Sequence, residues 1–197
     1  MDHPLLNMIA GRRGHFRMES GYHSELWFEL GPLFTTPERV RPYVMELARR
    51  LARHRPDAIC GPEEGGATLA VMLGVELGLP SYAARRFVRT EAGLFPVEYH
   101  IAPADRAALC GRRIAIVDDA VSAGSAVRGT HSVLLACGAE PVACGALLVF
   151  SQAVPRFAAE RGLGFEGIAH LEFSAWTPDA CPLCRQGRPL ESVADTV

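Results

Sequence analysis

The stretch Ile114-Ala115-Ile116-Val117-Asp118-Asp119-Ala120-Val121-Ser122-Ala123-Gly124-Ser125-Ala126-Val127 sets the architecture of this chain. Arg113 to Val117 reads as a strand of the buried kind, its residues Ile114 to Val117 all apolar, the pattern of a strand covered on both faces. It delivers two adjacent carboxylates, Asp118 and Asp119, to the carboxyl edge of a sheet, where ligands bind in open α/β folds. The residues that follow are small, so backbone can wrap closely around a ligand. A helix is predicted from about Ser125 to Cys137, with Gly138 as its cap. Its first turn has unpaired N–H groups and the positive end of the helix dipole. The segment Ala120, Val121, Ser122, Ala123, Gly124, Ser125 and Ala126 is therefore a phosphate cradle that needs no basic side chain. The acid pair beside it is suited to accept hydrogen bonds from sugar hydroxyls. Together the two halves describe a site for a ribose 5-phosphate.

Outward from this stretch, short apolar strands alternate with helices, which predicts an α/β domain with a mostly parallel central sheet flanked by helices. Upstream, Asp57 to Cys60 is a short strand running into Gly61-Pro62-Glu63-Glu64-Gly65-Gly66. A helix follows over about Ala67 to Leu77, stopped by Gly78-Leu79-Pro80. Ser81 to Arg85 is a further strand. Thr36-Pro37-Glu38 carries the signals of a helix start, and Val40, Val44, Leu47 and Leu51 follow at helical spacing. Pro42 interrupts that pattern, so regular helix is expected only from there. Downstream, Val142 to Phe150 reads as a long strand, Pro155 to Arg161 as a helix and Phe165 to Phe173 as the last strand. No period stands out from Arg89 to Arg113, and a stretch that long without structure is usually functional. Gly14 to Glu19 and Glu25 to Leu30 form a hairpin about Ser20-Gly21-Tyr22-His23. The expected organisation is thus an N-terminal hood over 1–35, a core over 36–176 and a peripheral tail over 177–197.

Composition narrows the chemistry. Of 197 residues, 49% are hydrophobic and 21% charged, with formal net charge −2, which suits one globular domain and argues against a broad nucleic-acid footprint. All 20 basic residues are arginine. Schiff-base lysine chemistry and a Lys-containing P-loop are thereby excluded, and any side-chain anion clamp must be built from arginine. No apolar run is long enough to span a bilayer, and the N-terminus lacks the pattern of a signal peptide. The six cysteines are then expected as reduced thiols in a cytoplasmic protein.

The acid pair with its small-residue loop resembles the phosphoribosyl-diphosphate (PRPP) signature of type I phosphoribosyltransferases. Glu63-Glu64-Gly65-Gly66 is similar to the diphosphate loop of that family. Gly14-His15-Phe16-Arg17-Met18-Glu19-Ser20-Gly21, with His23-Ser24 and Trp27-Phe28, resembles the hood of orotate phosphoribosyltransferases. The resemblance covers roughly Gly14 to Phe150, and Cys181-Pro182-Leu183-Cys184-Arg185-Gln186-Gly187 is similar to the ending of some bacterial members. It implies Mg-dependent transfer of phosphoribose from PRPP to a nucleobase, with orotate expected as the base, in a homodimer whose long loop reaches the neighbouring site. On this resemblance Asp118 and Asp119 hold ribose hydroxyls and, through water, Mg. Arg85, Arg86 and Arg89 neutralise diphosphate, with Arg89 counted as catalytic beside the two acids, and Ser122, Trp27 and Phe28 face the base. The partners expected are PRPP and a nucleobase, with neither nucleic acid nor membrane.

The chain departs from the family pattern in three places. Where it has Arg-Lys-x-x-Lys-x-His, this chain reads Arg85-Arg86-Phe87-Val88-Arg89-Thr90-Glu91. Ser151-Gln152 stands where an Asp-Arg pair is frequent, and Glu19 where some members have Lys. These substitutions leave two alternatives open: transfer to a different base, and a homologue that senses PRPP or a nucleotide without catalysis.

Two other features have simpler readings. Cys181-x-x-Cys184 suggests half a zinc site or a redox pair, but the sequence has no second CxxC or H-x-x-x-H, only Cys60 and His170 suggest themselves as further ligands, and the motif lies in a Pro-rich tail rather than at a helix N-terminus after a strand, so neither role is expected. Arg49, Arg50, Arg53 and Arg55 cluster at a helix end, where they complement the dipole.

Overall fold

The computed structural model describes residues 3–18, 20–88 and 97–192. Its centre is a six-stranded sheet of β3 (Ala58–Pro62), β4 (Ser81–Val88), β5 (Val97–Ile101), β6 (Arg113–Val121), β7 (Glu140–Val149) and β8 (Gly164–His170), in the order β5-β4-β3-β6-β7-β8. All neighbouring pairs are parallel except β4–β5. From β3 the chain crosses outward to β4; from β6 it crosses the other way to β7. The sheet therefore reverses its winding between β3 and β6, and the crevice at their carboxyl ends is the topological switch point of the fold.

Helices cover both faces. One is packed by α2 (Pro37–Leu51) and α3 (Gly65–Leu77), whose Val44, Leu47, Leu69 and Leu73 are buried against Ile59, Val117 and Leu147. The other is packed by α4 (Pro103–Leu109), α5 (Ser125–Ala136) and α6 (Ala153–Glu160), through Leu109, Val127, Leu134 and Phe157. A short helix α1 (Pro32–Thr35) precedes α2.

Several expectations need correction. Thr36 sits at the cap of α2, but its hydroxyl makes no capping bond, and α2 runs straight through Pro42. A proline inside a helix costs about 3 kcal/mol. Burying Val40, Val44, Leu47 and Leu51 completely, at about 2 kcal/mol each, outweighs that. The region after Arg89 is not structureless: β5 and α4 occupy 97–101 and 103–109. Tyr99 and Ile101 point inward from β5 while His100 is exposed. Residues 89–96 lie outside the described residues.

The hood is a hairpin of β1 (Ala10–Arg17) and β2 (His23–Glu29), longer than expected at its first strand. It does not stand alone. Beyond β8, which ends at His170, the chain adds β9 (Ala175–Trp176) to β2 and β10 (Glu191–Ser192) to β1, with a short helix α7 (Pro182–Arg185) between them. The C-terminal segment was expected to be peripheral. Its described part instead completes the hood sheet and buries Cys181 and Leu183. The local sequence is polar and rich in Pro and Gly, so nothing short-range signals this pairing.

Candidate functional site

The site grows from β6. Its side chains Ile114, Ile116 and Val117 are fully buried, which anchors the strand and fixes where its carboxyl end emerges. Asp118 is buried at that end and Asp119 is half-buried beside it. Backbone amides orient both: Asp119 N–H donates to Asp118 Oδ1 at 3.1 Å, and Ala120 N–H donates to Asp119 Oδ1 at 2.8 Å. Burial pushes the Asp119 carboxyl above the usual carboxylate range, while the Ala120 N–H pulls the other way.

The glycine loop after β3 closes against these acids. A Cβ on Gly65 would land on the Asp119 carboxylate, and one on Gly66 would lie 2.8 Å from Asp118 Oδ1. Only glycine permits this approach. Two segments some fifty residues apart in sequence thus meet across the β3–β6 crevice, with the first turn of α3 aimed into it. Glu63, by contrast, is turned toward β4: its carboxylate accepts from Arg86 N–H at 3.3 Å and lies 3.9 Å from Arg85 Nε.

On the other side of the acid pair, Ala120 and Val121 remain in the ladder, opposite Leu148 and Val149 of β7, and Val121 is buried in the core. Of the expected cradle, the turn itself is therefore Ser122-Ala123-Gly124, with Ser125 and Ala126 opening α5. Gly124 adopts φ +81°, a left-handed conformation that favours glycine. Two residues not expected from the sequence to support this turn do so. Ser151 Oγ donates to the Ser122 carbonyl at 2.6 Å and accepts from Ala153 N–H at 3.1 Å. Arg128 reaches the Ala153 carbonyl at 3.5 Å and stacks its guanidinium 4.7 Å from the Phe157 ring centre, beside Gly124. The sequence signal for Arg128 was a cation one turn into the helix that follows the cradle.

The expected diphosphate arginines do not act as one group. Arg85 and Arg86 are consecutive on β4 and so face opposite sides of the sheet. Ala84 packs with Val127 and Leu134, which places Arg86 on the α5 side and Arg85 on the α3 side, next to Glu63. Arg89, Glu91 and Glu19 lie outside the described residues.

Trp27 and Phe28 likewise point to opposite sides of β2. Phe28 stacks on Phe150 with ring centres 4.9 Å apart and an interplanar angle of 15°, and Phe173 closes the trio. This joins the hood to the end of β7, directly before Ser151. Gln152 donates from Nε2 to Glu172 Oε1 at 2.7 Å.

The remaining sequence features separate cleanly from this site. Arg49 and Arg50 clamp Glu46, whose carboxyl they hold at about 2, and Arg50 also donates to the Gly167 carbonyl at 2.7 Å. These cations complete α2 and its contact with β8. All six cysteines are free. Cys60 is buried in β3 with its thiol pushed up to about 12, and neither it nor His170 approaches Cys181 and Cys184. No helix among the described residues is long and apolar enough to cross a membrane.

The donor set at the crevice is hard oxygen, two carboxylates held by backbone amides, which fits Mg with its preference for carboxylate, water and phosphate ligands. Chemically the arrangement can bind a polyhydroxyl group on the acids between two anion-accepting backbone segments.

No family model matches the chain. It is 30% identical over 189 residues to the orotate phosphoribosyltransferase of Heliobacterium modesticaldum, covering 93% of this chain and 90% of that one. Among solved structures, the orotate phosphoribosyltransferase of Aeropyrum pernix superposes with a TM-score of 0.60 at 22% identity, over 82% of this chain and 88% of that one. The adenine phosphoribosyltransferase of Thermoanaerobacter pseudethanolicus does so with a TM-score of 0.66 at 17% identity, over 85% and 98%. Those two likenesses establish the fold, and a fold shared by enzymes for different bases does not select a base. The sequence relationship, which runs nearly end to end in both proteins, is what places the chain: it belongs to the orotate phosphoribosyltransferase family.

Proposed function

We propose that this protein transfers phosphoribose from PRPP to orotate, giving orotidine 5'-phosphate and diphosphate. The observation that carries the reading is the closure of Gly65 and Gly66 onto Asp119 and Asp118 at the switch point. A donor with phosphates at both ends of a ribose needs two anion cradles flanking a hydroxyl-binding pair, and the crevice offers that order.

In this reading Asp118 and Asp119 hold the ribose hydroxyls and, with PRPP, the Mg ion. When bound, Mg supplies positive charge to the departing diphosphate. Ser122 to Ala126 hold the 5-phosphate, with Ser151 keeping the turn in place and Arg128 adding a cation. The backbone of Glu63 to Gly66 lines the diphosphate, and Arg85, on the side of β4 next to Glu63, supplies counter-charge together with Arg89, while Arg86 faces the other side of the sheet. The sugar becomes cationic as its bond to diphosphate breaks, and the acid pair favours that charge. Water must be excluded at this stage, or PRPP is hydrolysed. The hood, held by Phe28 on Phe150, would do so from one side. In a homodimer, as the family resemblance implies, the segment from Arg89 onward would serve the neighbouring subunit's site.

The test is loss of orotate ultraviolet absorbance on adding PRPP and Mg. The wild type is expected to turn over, and the variant carrying Asp118→Asn and Asp119→Asn to lose at least about 100-fold in rate. Gln152, engaged with Glu172 where the family pattern has Arg, favours a second reading in which another base is the acceptor. A panel of bases assayed for diphosphate release decides between them. If orotate is inert and another base reacts, the second reading holds; if PRPP binds and no base reacts, the protein is a sensor rather than an enzyme.

A further inference from the structure

We propose that the protein binds a structural zinc ion on His15, His23, Cys181 and Cys184, fastening the hood to the C-terminal segment. The four ligand atoms lie within 4.8 Å of one another. His15 Nε2 is 3.2 Å from His23 Nδ1, 3.4 Å from Cys181 Sγ and 3.7 Å from Cys184 Sγ, and Cys184 Sγ is 3.2 Å from His23 Nδ1. A tetrahedral zinc with bonds of about 2.0–2.1 Å to nitrogen and about 2.3 Å to sulfur has edges of about 3.3 Å for N–N and about 3.6 Å for N–S. These four separations differ from the ideal edges by a few tenths of an ångström, and Cys181 Sγ lies within 4.8 Å of both His23 Nδ1 and Cys184 Sγ, so side-chain adjustment at Cys181 is enough to seat an ion.

The chemistry of the cluster selects the metal. Two imidazoles and two thiolates are the donor set of structural zinc, not of Mg or Ca, which prefer oxygen. The two thiolates neutralise the ion, and binding releases their protons to solvent. Four protein ligands close the coordination sphere, which is the mark of a structural rather than a catalytic centre. An outer contact for His15 is also in place. His15 Nδ1 lies 2.9 Å from the Arg188 carbonyl. A carbonyl only accepts, so Nδ1 carries the proton and Nε2 presents its lone pair to the cluster. His15, His23 and Cys181 are buried, while Cys184 is exposed and offers the ion a way in.

The fold gives this site a purpose. His15 and His23 stand on paired strands β1 and β2, while Cys181 caps α7 and Cys184 lies within it, at the other end of the chain. The strands that join these parts, β9 and β10, are two residues each. Few large apolar side chains are buried here, so hydrophobic burial holds the assembly weakly, and small units of this kind are commonly stapled by a metal.

The full chain, purified under reducing conditions from zinc-supplemented culture, is expected to carry about one zinc ion per chain. Cobalt exchanged into it should give the visible absorption of a tetrahedral site together with thiolate-to-cobalt charge transfer. Cys184→Ser and His15→Ala should lose the zinc, whereas His23→Cys, which keeps four ligands, should retain it. A strong chelator should lower the Tm of the wild type and leave that of the variant carrying Cys181→Ser and Cys184→Ser unchanged. Wild type without stoichiometric zinc and without the cobalt spectrum overturns the proposal, as does a Cys184→Ser protein with unchanged metal content and spectrum. These readouts are independent of which base the enzyme accepts.

Discussion

The hydroxyl of Ser151 bridges two turns at the ligand edge of the sheet, donating to the Ser122 carbonyl at 2.6 Å and accepting from Ala153 N–H at 3.1 Å. It ties the cradle after β6 to the start of α6 and follows directly on Phe150, the residue on which the hood rests. Ser151→Ala removes the tie without emptying the core. A hydrogen bond of this kind is worth about 1 kcal/mol. The KM for PRPP is therefore expected to rise about fivefold, with a smaller change in kcat, in steady-state kinetics at saturating base.

Gly65→Ala addresses the closure of the diphosphate loop. The new methyl group would coincide with the Asp119 carboxylate, which must swing away. Alanine is otherwise favoured over glycine in a helix by about 1 kcal/mol. Thermal denaturation should show a Tm within a few degrees of the wild type, while kcat/KM for PRPP falls by about 10- to 100-fold. A variant with unchanged kinetics would remove Asp119 from the site.

Phe28→Ala probes the hood. The half-buried ring stacks on Phe150 and touches Phe173. Its truncation should cost about 2 kcal/mol, below the range for a fully buried phenylalanine, and denaturant titration would measure this. Loosening the hood should also raise the rate of PRPP hydrolysis without base relative to transfer.

His131 gives the protein a pH-dependent term unconnected with the active site. It is buried in α5 edge-on to Phe157, and burial, reinforced by the Arg161 cation, lowers its pKa below the ordinary histidine value. In the window between that lowered value and the unfolded value of about 6.5, the unfolded chain binds more protons, so stability rises with pH and is lost on acidification. His131→Gln cannot titrate. Denaturation midpoints measured from about pH 7 down to about pH 5 should fall more steeply for the wild type than for the variant.

The chain by itself determined whatever is written in short-range pattern. The run from Ile114 to Val127 declared a buried strand, an acid pair, a small-residue turn and a helix, because burial, chain flexibility and helix initiation act over a few consecutive residues. The same holds for Gly78 after α3 and Gly138 after α5, both at positive φ. Tertiary structure decided what depends on distant residues meeting. Strand alternation sent Arg85 and Arg86 to opposite faces, although their adjacency suggested a joint clamp. Ser151 became a support only because β7 ends beside the turn after β6. Pro42 was overridden by a buried helix face, and Val97 to Ile101 became a strand once β4 offered its edge. Most of all, His15 came to Cys181 and Cys184, and His23 to Cys184, across more than 160 residues of chain. No local periodicity encodes such a convergence: it follows from the packing of both chain ends into one small sheet.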